Sequence, residues 1–310
     1  MIYTLTMNPA IDMNIIGDGL YPNMVNRTRN AVYTPNGKGL NVSVSLCHYG
    51  IKSCTLGFYG GFSGRYIVEM VPKMGIGIKP CWIDGTTRIN VFYNDGKTEY
   101  KLVNEGPYVS EKNLKELQEL MLGSDDMELL VISGSLPQGV SEASLETISL
   151  LCREKKIPLV LDVCTSNYRQ LLALRPYLIK PNDEELRIML GIIIESERDV
   201  ILALQKLYEL GALHILLTLG EKGSYFFDSE HMYYANARKI KFLSSACAGD
   251  VALGAFLSVF WKNSKLVKEA MITASAAGAN AAEQEGPGDF AHAAEYEKDI
   301  QVREIEWQYE

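Results

Sequence analysis

The sequence predicts an α/β fold built on a doubly wound, mostly parallel sheet. Short apolar segments recur along the chain, and helical segments separate them. Apolar strands that alternate with helices are typical of a parallel sheet whose two faces are both covered. In addition, several polar or Gly-rich turns directly follow these strands. Such sheets bind their ligands beyond the carboxyl ends of the strands, so these turns are the first candidates for a site.

The first half of the chain alternates β-rich and helical segments. Residues 2–6 are mostly β-branched or aromatic and predict a strand, and residues 39–49, after a glycine-rich turn, predict a helix. A second strand is expected at 54–58. A helix at 114–122 precedes 129–132, where four consecutive apolar residues predict a fully buried strand.

The second half continues the same alternation. Residues 144–154 predict a helix, and the apolar segment 158–161 predicts another buried strand. A brief strand is expected at 178–180, a helix at 198–210 and a strand at 214–219. Together with the first half, these segments supply the strands and helices of one doubly wound sheet.

Two insertions between these units predict a smaller second sheet. Residues 12–35 and 87–103 alternate polar and apolar residues, and residues 94–96, Asn-Asp-Gly, signal a tight turn. We expect antiparallel strands here, forming a lid or an oligomer surface. Residues 1–310 are therefore predicted to be a single domain that carries a discontinuous β lid.

Composition and charge exclude several classes of protein. Of 310 residues, 47% are hydrophobic and 22% are charged, as is ordinary for soluble globular proteins. The formal net charge of −8 argues against bulk nucleic-acid binding, so a phosphorylated ligand would have to be met by a few local cations. The six cysteines form no Cys-x-x-Cys pair, and only four histidines are present, so we expect neither a disulfide framework nor a zinc site.

The same features predict the location of the protein. Free thiols are the usual state of cysteines in a reducing cytoplasm. The first twelve residues lack the pattern of a signal peptide, and the longest apolar run, 251–261, is too short to span a bilayer. We therefore expect a cytoplasmic protein with no membrane partner.

A turn of small residues near the C-terminal end carries the most specific chemistry. Residues 247–250, Cys-Ala-Gly-Asp, run directly into the apolar residues 251–257, and the pattern predicts a buried helix with Asp250 in its first turn. Small residues let a ligand approach the backbone, and the free N–H groups of a helix start suit an anion. Asp250 in the same turn could act as a base toward a group beside that anion. The alternative is that Asp250 merely caps the helix.

Four segments offer groups for a sugar or its phosphate. A Gly-Lys-Gly turn before the first helix presents the cation Lys38 and the amide Asn41, although its spacing is not that of a P-loop. Asp12 follows the first strand and could bind sugar hydroxyls, or it could cap its own turn. Arg27 and Arg88 suit bidentate phosphate binding, but surface arginines are common, and each could instead be a solvated charge.

Polar turns also follow three predicted strands. They contain Ser135, Lys180, Asn182, Glu185, Thr218, Gly220 and Gly223. Asn182 and Glu185 provide oxygen atoms suited to magnesium, and Lys180 could meet a phosphate in transfer. Each turn alone could be an ordinary connection, but their joint position after successive strands favours a functional site.

Taken in order, these motifs resemble the PfkB, or ribokinase-like, carbohydrate kinases. Within that family the similarity is to the 1-phosphofructokinase and tagatose-6-phosphate kinase group. The resemblance extends over nearly the whole chain and rests on segments 4–12, 37–41, 87–88, 134–137, 180–185, 219–223 and 248–250.

The resemblance implies an ATP- and Mg²⁺-dependent kinase with a ribokinase-like fold and a β lid, usually a homodimer through the lids. Its acceptor would be a phosphosugar, either fructose 1-phosphate or tagatose 6-phosphate. The resemblance further implies that Asp250 is the general base and that the backbone around Cys247, Ala248 and Gly249 forms the hole for the moving phosphoryl group.

The resemblance also implies roles for the remaining motif residues. The sugar and its phosphate would be held by Asp12, Gly37, Lys38, Asn41, Arg88, Ser135 and Arg27, the last from a partner lid. ATP would be held by Lys180, Asn182, Thr218, Gly220 and Gly223, with Glu185 serving the metal.

Three positions depart from the usual pattern of the family. Cys247 and Asn36 each stand where a glycine is usual, and residues 162–165, Asp-Val-Cys-Thr, replace Asp-x-Ser-Gly. A cysteine in a left-handed backbone conformation would cost about 1 kcal/mol, whereas asparagine tolerates that conformation better. Two other functions therefore stay open, namely a kinase for a non-phosphorylated sugar or nucleoside, and a non-catalytic sugar-phosphate binder.

Overall fold

A computed structural model describes residues 1–284 and 286–307, in which strands and helices alternate along the chain. The strands are β1 (Ile2–Thr6), β2 (Ala10–Gly17), β3 (Thr28–Asn36), β4 (Ser53–Tyr59), β5 (Gly77–Trp82), β6 (Arg88–Asn94), β7 (Glu99–Leu102), β8 (Leu129–Ser133), β9 (Leu159–Asp162), β10 (Leu178–Ile179), β11 (Ile215–Thr218), β12 (Ser224–Phe227), β13 (Met232–Ala235) and β14 (Val302–Glu304). The helices are α1 (Lys38–His48), α2 (Gly61–Met70), α3 (Glu111–Leu122), α4 (Glu142–Glu154), α5 (Tyr168–Ala173), α6 (Asp183–Leu190), α7 (Glu197–Glu209), α8 (Ala248–Phe260), α9 (Val267–Ala282) and α10 (Ala293–Tyr296).

The large sheet confirms the predicted fold class. Its ten strands lie in the order β14-β13-β12-β11-β10-β9-β8-β1-β4-β5. The pairs from β5 to β11 are parallel, and β12 to β14 add an antiparallel edge. Each predicted strand and helix of this unit is present, with ends shifted by at most three residues.

Both faces of the parallel strands are covered, which explains why these strands are apolar throughout. In β8, Leu130 and Ile132 pack in one core with residues of α3, α4, α5 and α7. Leu129 and Val131 point the other way and pack with residues of α1, α8 and α9. A strand with two buried faces needs no polar alternation, as its sequence showed.

The second sheet has the strand order β3-β2-β6-β7. Its two hairpins are antiparallel as predicted, but β2 and β6 pair in parallel, so the expectation of a wholly antiparallel sheet was wrong at this pair. The physical reason is that no hairpin joins β2 to β6. Each follows a strand of the large sheet, β1 or β5, and these two strands run in the same direction because each pairs in parallel with β4.

No helix of the described ranges combines the length and the apolar character that crossing a bilayer requires.

Candidate active site

Helix α8 begins where the sequence predicts an anion hole. Cys247 is its N-cap residue, with φ 66° in the left-handed region, so the strain expected for a cysteine here, about 1 kcal/mol, is present. Asp250 is the third residue of the helix, and no side chain caps the helix start. The alternative in which Asp250 is only a helix cap was therefore wrong. The first-turn N–H groups of a helix lack intrahelical partners and point toward the space before it.

Asp250 is buried beside other charges. Its side chain is 5% exposed, and its Oδ2 accepts a hydrogen bond of 2.9 Å from the Asn41 amide. Burial raises the pKa of Asp250 to about 7, and repulsion from Asp162 acts in the same direction. A carboxyl group with this pKa exchanges a proton near neutral pH, which suits a general base.

A buried ion pair lies next to the start of α8. Lys180 Nζ is 3.0 Å from Asp162 Oδ1, and the two side chains are only 5% and 1% exposed. A Cβ atom built at Gly249 would lie 3.3 Å from the same Nζ, so the ammonium group rests against the first turn of α8. Neither carboxylate oxygen of Asp162 accepts an aligned hydrogen bond from the described residues. Asp162 is therefore held by the charge of Lys180 rather than by aligned hydrogen bonds.

Lys38, the first residue of α1, extends toward the same charged groups. Its Nζ lies 4.0 Å from Glu185 Oε1, and its side chain is 45% exposed. The field of Asp162, with smaller contributions from Asp250 and Glu185, raises the pKa of Lys38. A charged and partly exposed ammonium group thus lies in the field of these three carboxylates.

Asn182 and Glu185 form a reciprocal cap at the start of α6. Asn182 Oδ1 accepts a hydrogen bond of 2.8 Å from Glu185 N, and Glu185 Oε2 accepts one of 3.0 Å from Asn182 N. This capping box holds both side chains at the edge of the sheet. Among the residues described, no group of three or more His, Cys, Asp or Glu side chains could hold a metal by itself. Mg²⁺ commonly uses one or two carboxylates together with phosphate oxygens, so Glu185 and Asp162 fit a metal that arrives with a triphosphate.

A second cluster, made mainly of amides, surrounds Asp12. Asp12 is the third residue of β2, so the alternative in which it caps a loop was wrong. Its Oδ1 accepts a hydrogen bond of 2.8 Å from the Asn90 amide, and its Oδ2 accepts one from the Asn36 amide. Burial raises the pKa of Asp12. Asn36 also accepts a hydrogen bond of 3.0 Å from Asn41, which connects this cluster to Asp250.

Gly37 is required between these two clusters. It is the N-cap residue of α1 with φ 155°, and a Cβ atom on it would lie 2.3 Å from Thr6 Cγ2. Any side chain at this position would push α1 away from β1. Since α1 carries Lys38 and Asn41, the close approach places both groups in the site.

Arg88 begins β6 beside the cleft, the region between the start of α8 and the Asp12 cluster. Its guanidinium group donates to the carbonyl oxygens of Asn8 (3.0 Å) and Asn104 (3.3 Å), and its buried Nε has no partner among the described residues. Burial lowers the pKa of Arg88. Ser135 is exposed nearby, 3.4 Å from the Asn8 amide. Arg27 is exposed in the β2–β3 loop, and none of the site's hydrogen bonds within the described ranges involves it.

The turn after β11 is held close to the start of α6. Thr218 donates from its backbone N (3.0 Å) and from Oγ1 (3.4 Å) to the carbonyl oxygen of Pro181. Gly220 and Gly223 have φ values of 56° and 93°, and a Cβ atom at Gly223 would lie 2.2 Å from the carbonyl oxygen of Ala235. The glycines therefore allow the tight turn that lines this side of the cleft.

Three residues of these clusters were not among the site residues predicted from the sequence. Asp162 carried a usable signal, because it directly follows the apolar segment predicted as a buried strand. Asn90 and Asn36 lie in or next to segments that had been singled out, but only strand pairing brings both of them to Asp12.

The chain is similar to known proteins in sequence and in structure. The chain matches the pfkB family carbohydrate kinases over residues 2–294. It is 45% identical over 305 residues to a D-tagatose-1-phosphate kinase from Klebsiella oxytoca, covering 98% of this chain and 100% of the relative. It is 32% identical over 258 residues to a 1-phosphofructokinase from Bacillus subtilis, covering 83% and 85%. Phosphofructokinase-2 from Escherichia coli in complex with fructose-6-phosphate superposes with a TM-score of 0.86 at 26% identity, covering 96% and 98%.

Proposed function

The chain belongs to the pfkB family of carbohydrate kinases, and from that premise we propose that it phosphorylates a ketohexose 1-phosphate with ATP. The observation that carries the proposal is Asp250, a buried carboxyl group with a pKa of about 7 at the start of α8. A general base and an anion hole in one turn are what transfer of a phosphoryl group to an alcohol requires.

The chemical step follows from these positions. Asp250 accepts the proton of the acceptor hydroxyl while the oxygen of that hydroxyl forms a bond to the γ-phosphorus of ATP. The bond from this phosphorus to the β–γ bridging oxygen breaks, and ADP leaves. The first-turn amides of α8, with Lys180 beside Gly249, stabilise the charge on the moving phosphoryl group. Lys38, which lies in the field of Asp250, adds a further positive charge on that path.

The magnesium ion belongs with the triphosphate. When bound, it neutralises charge on the β- and γ-phosphates, as in other phosphoryl-transfer enzymes. Glu185 and Asp162 are the carboxylates of this chain best placed to hold it, directly or through water. Thr218, Gly220 and Gly223 line the adjacent turn, where we place the rest of the nucleotide together with Asn182.

The acceptor sugar is assigned to the amide cluster. Asp12 and Asn41 offer a carboxylate and an amide to its hydroxyls, and Arg88 has a guanidinium group for a phosphate at the far end. A ketohexose has primary hydroxyls on C1 and C6, so a phosphate on C1 leaves the C6 hydroxyl as the acceptor. The names of the two curated relatives support a phosphate on C1. We place D-tagatose 1-phosphate first and D-fructose 1-phosphate second, ahead of tagatose 6-phosphate.

The second sheet is proposed to act as a lid and as the contact between two copies of the chain. The outer strand β3 exposes Val32 and Tyr33, and the preceding loop exposes Tyr21, Met24 and Val25. Apolar side chains grouped in this way are typical of an interaction surface. Arg27 lies in the same loop, where a partner copy could bring it to the sugar phosphate. A monomer at micromolar concentration in sedimentation experiments would contradict this part of the proposal.

A substrate panel tests the function. The purified protein is given ATP, Mg²⁺ and, separately, the 1-phosphates and 6-phosphates of D-tagatose and D-fructose, the free sugars and a nucleoside, and ADP release is measured. We expect release with a ketohexose 1-phosphate and little with the free sugars. Preference for a free sugar or a nucleoside would favour the alternative kinase. Tight phosphosugar binding without ADP release would favour a non-catalytic binder.

A further inference from the structure

Asn36 occupies a position that the proposed reaction does not by itself explain. It is the last residue of β3, and its side chain makes bonds in three directions. Its Nδ2 donates to Asp12 Oδ2, while its Oδ1 accepts from Gly37 N at 2.5 Å and from Asn41 Nδ2 at 3.0 Å. An amide held at both of its ends cannot rotate, so its direction toward the cleft is set before any sugar binds.

The consequence for Asp12 is a carboxylate with limited freedom. Asn36 holds one of its oxygens and Asn90 holds the other, the latter at 2.8 Å. A sugar hydroxyl must therefore approach Asp12 along the lone-pair directions that these two amides leave open. Buried polar groups with fixed partners discriminate strongly, because a mismatched ligand leaves one of them without a hydrogen bond.

Cys247 also limits the space around the amide of Asn41. Its Sγ accepts a hydrogen bond of 3.2 Å from Asn41 Nδ2, which also donates to Asn36 and to Asp250. An amide nitrogen carries only two hydrogens, so three acceptors compete for them. Asn36 and Cys247 are also both partly exposed. Two side chains thus fill space around Asn41 at positions where a glycine would leave it open.

We propose that Asn36 is a specificity-determining residue that reads the configuration of the sugar hydroxyl held by Asp12, with Cys247 narrowing the pocket beside it. The proposal rests on the phosphosugar kinase function proposed above. D-Tagatose 1-phosphate and D-fructose 1-phosphate have the same charge and composition and differ only in the configuration at C4. A rigid carboxylate with fixed open directions can distinguish two such epimers, whereas a mobile one would adapt to both.

The test compares the two epimers in wild type and in Asn36→Gly. With ATP and Mg²⁺ at saturation, we expect wild type to prefer one epimer by at least tenfold in kcat/KM. Asn36→Gly should lower kcat/KM for the preferred epimer at least tenfold and for the other less than threefold. The KM for ATP should stay within twofold, since the nucleotide groups do not contact Asn36.

Matched variants distinguish an effect on specificity from an effect on folding. Asn30→Gly makes the same substitution at an exposed position of the same strand and should leave both epimers unchanged. Asn36→Ser keeps a polar side chain too short to bridge Asp12 and Asn41, and serves if the glycine variant does not fold. Cys247→Gly should also reduce the selectivity, by a smaller factor.

The outcomes separate the two proposals. A reduced selectivity in the Asn36 variants supports the role of Asn36 as a specificity residue. An equal fall for both epimers, an unchanged ratio, or a wild type that does not discriminate would overturn it while leaving the kinase function intact. A wild type that phosphorylates neither epimer would overturn the proposed function and this inference together.

Discussion

The two ends of the cleft differ in their side chains, which are charged at one end and mainly amides at the other. At the α8 end, Asp162 and Lys180 form a buried ion pair, and the buried Asp250 lies in the field of both. At the β2 end, Asp12 is held by the neutral amides of Asn36 and Asn90. Buried charges create strong electric fields and shift the pKa values of neighbouring groups, whereas amides fix the directions of hydrogen bonds. The difference suggests a division of labour, in which the charged end performs the chemistry and the amide end selects the sugar.

Asn41 connects the two ends. It donates to Asp250 at 2.9 Å and to Asn36 at 3.0 Å. A sugar that displaces or tightens one of these bonds changes the other, because the two hydrogens sit on the same nitrogen. The comparison between the two ends therefore becomes testable through variants that affect one end and spare the other.

The largest effect is expected at the base. Asp250→Asn keeps the size of the side chain but cannot accept the proton, so kcat should fall about 10³-fold. Binding of the phosphosugar, measured by calorimetry, should stay within threefold of wild type. Near-normal turnover in this variant would contradict a catalytic role at the charged end.

The next effect is expected at the buried ion pair. Lys180→Met leaves Asp162 buried without its cation, which should cost about 3 kcal/mol of the free energy of unfolding and lower kcat about 100-fold. Denaturant titration and steady-state kinetics measure the two quantities. The double variant Lys180→Met/Asp162→Asn is the control and should recover most of the stability while kcat remains low. No recovery would mean that the pair does not act as a unit.

A change at the amide end should alter binding rather than chemistry. Arg88→Ala removes a guanidinium group expected to meet the sugar phosphate, so KM for the phosphosugar should rise about tenfold to 100-fold with kcat within threefold. Arg29→Ala, an exposed arginine paired with Asp18, is the matched control and should have no effect. An equal rise in KM for ATP would argue that Arg88 serves the nucleotide instead.

The smallest effect concerns backbone strain. Cys247→Gly and Arg175→Gly both remove a side chain from a left-handed backbone conformation, with φ values of 66° and 59°. Each should gain up to about 1 kcal/mol in the free energy of unfolding. Only Cys247→Gly should change KM for the phosphosugar, since Arg175 follows α5, outside the site. Equal kinetic behaviour of the two variants would remove Cys247 from the sugar pocket.

The alternation of strands and helices was predictable because buried parallel strands have a plain apolar signature. Other elements could not be predicted from the sequence, for physical reasons. Strand β5 contains glycine, lysine and proline, which weaken a strand signal and are tolerated because β5 lies at the edge of the sheet. Helix α9 is rich in alanine and packs closely on α8, so it lacks a distinct polar face. The parallel pairing of β2 with β6 depends on tertiary contacts that no local pattern encodes.

The residues of the candidate site also fall into those that the sequence predicts and those that depend on tertiary contacts. Asp250, Lys180 and Asp12 could be proposed from motifs, since each stands in a short segment of recognisable type. The bridging role of Asn36 could not, because it depends on the register that pairs Ala10 with Asn36 and so sets Asp12, two residues further, on the same face of the sheet. The opposition of Asp162 to Asp250 likewise depends on two segments that are far apart in the chain.

The central claim is that Asp250 is the base and that burial, together with the charge of Asp162, raises its pKa. The most direct measurement is the pH dependence of kcat/KM for the phosphosugar in wild type and in Asp162→Asn. Activity requires ionised Asp250, so wild type should gain activity as pH rises from 5.5 and level off above a pKa of about 7. Removing the negative charge of Asp162 removes a repulsion that raises the pKa of Asp250, so the acid limb should move to lower pH. The ionisation of the substrate phosphate is the same in both proteins and cannot produce this shift. A limb at the same pH in both, or a flat profile between pH 5.5 and 9, would contradict the claim.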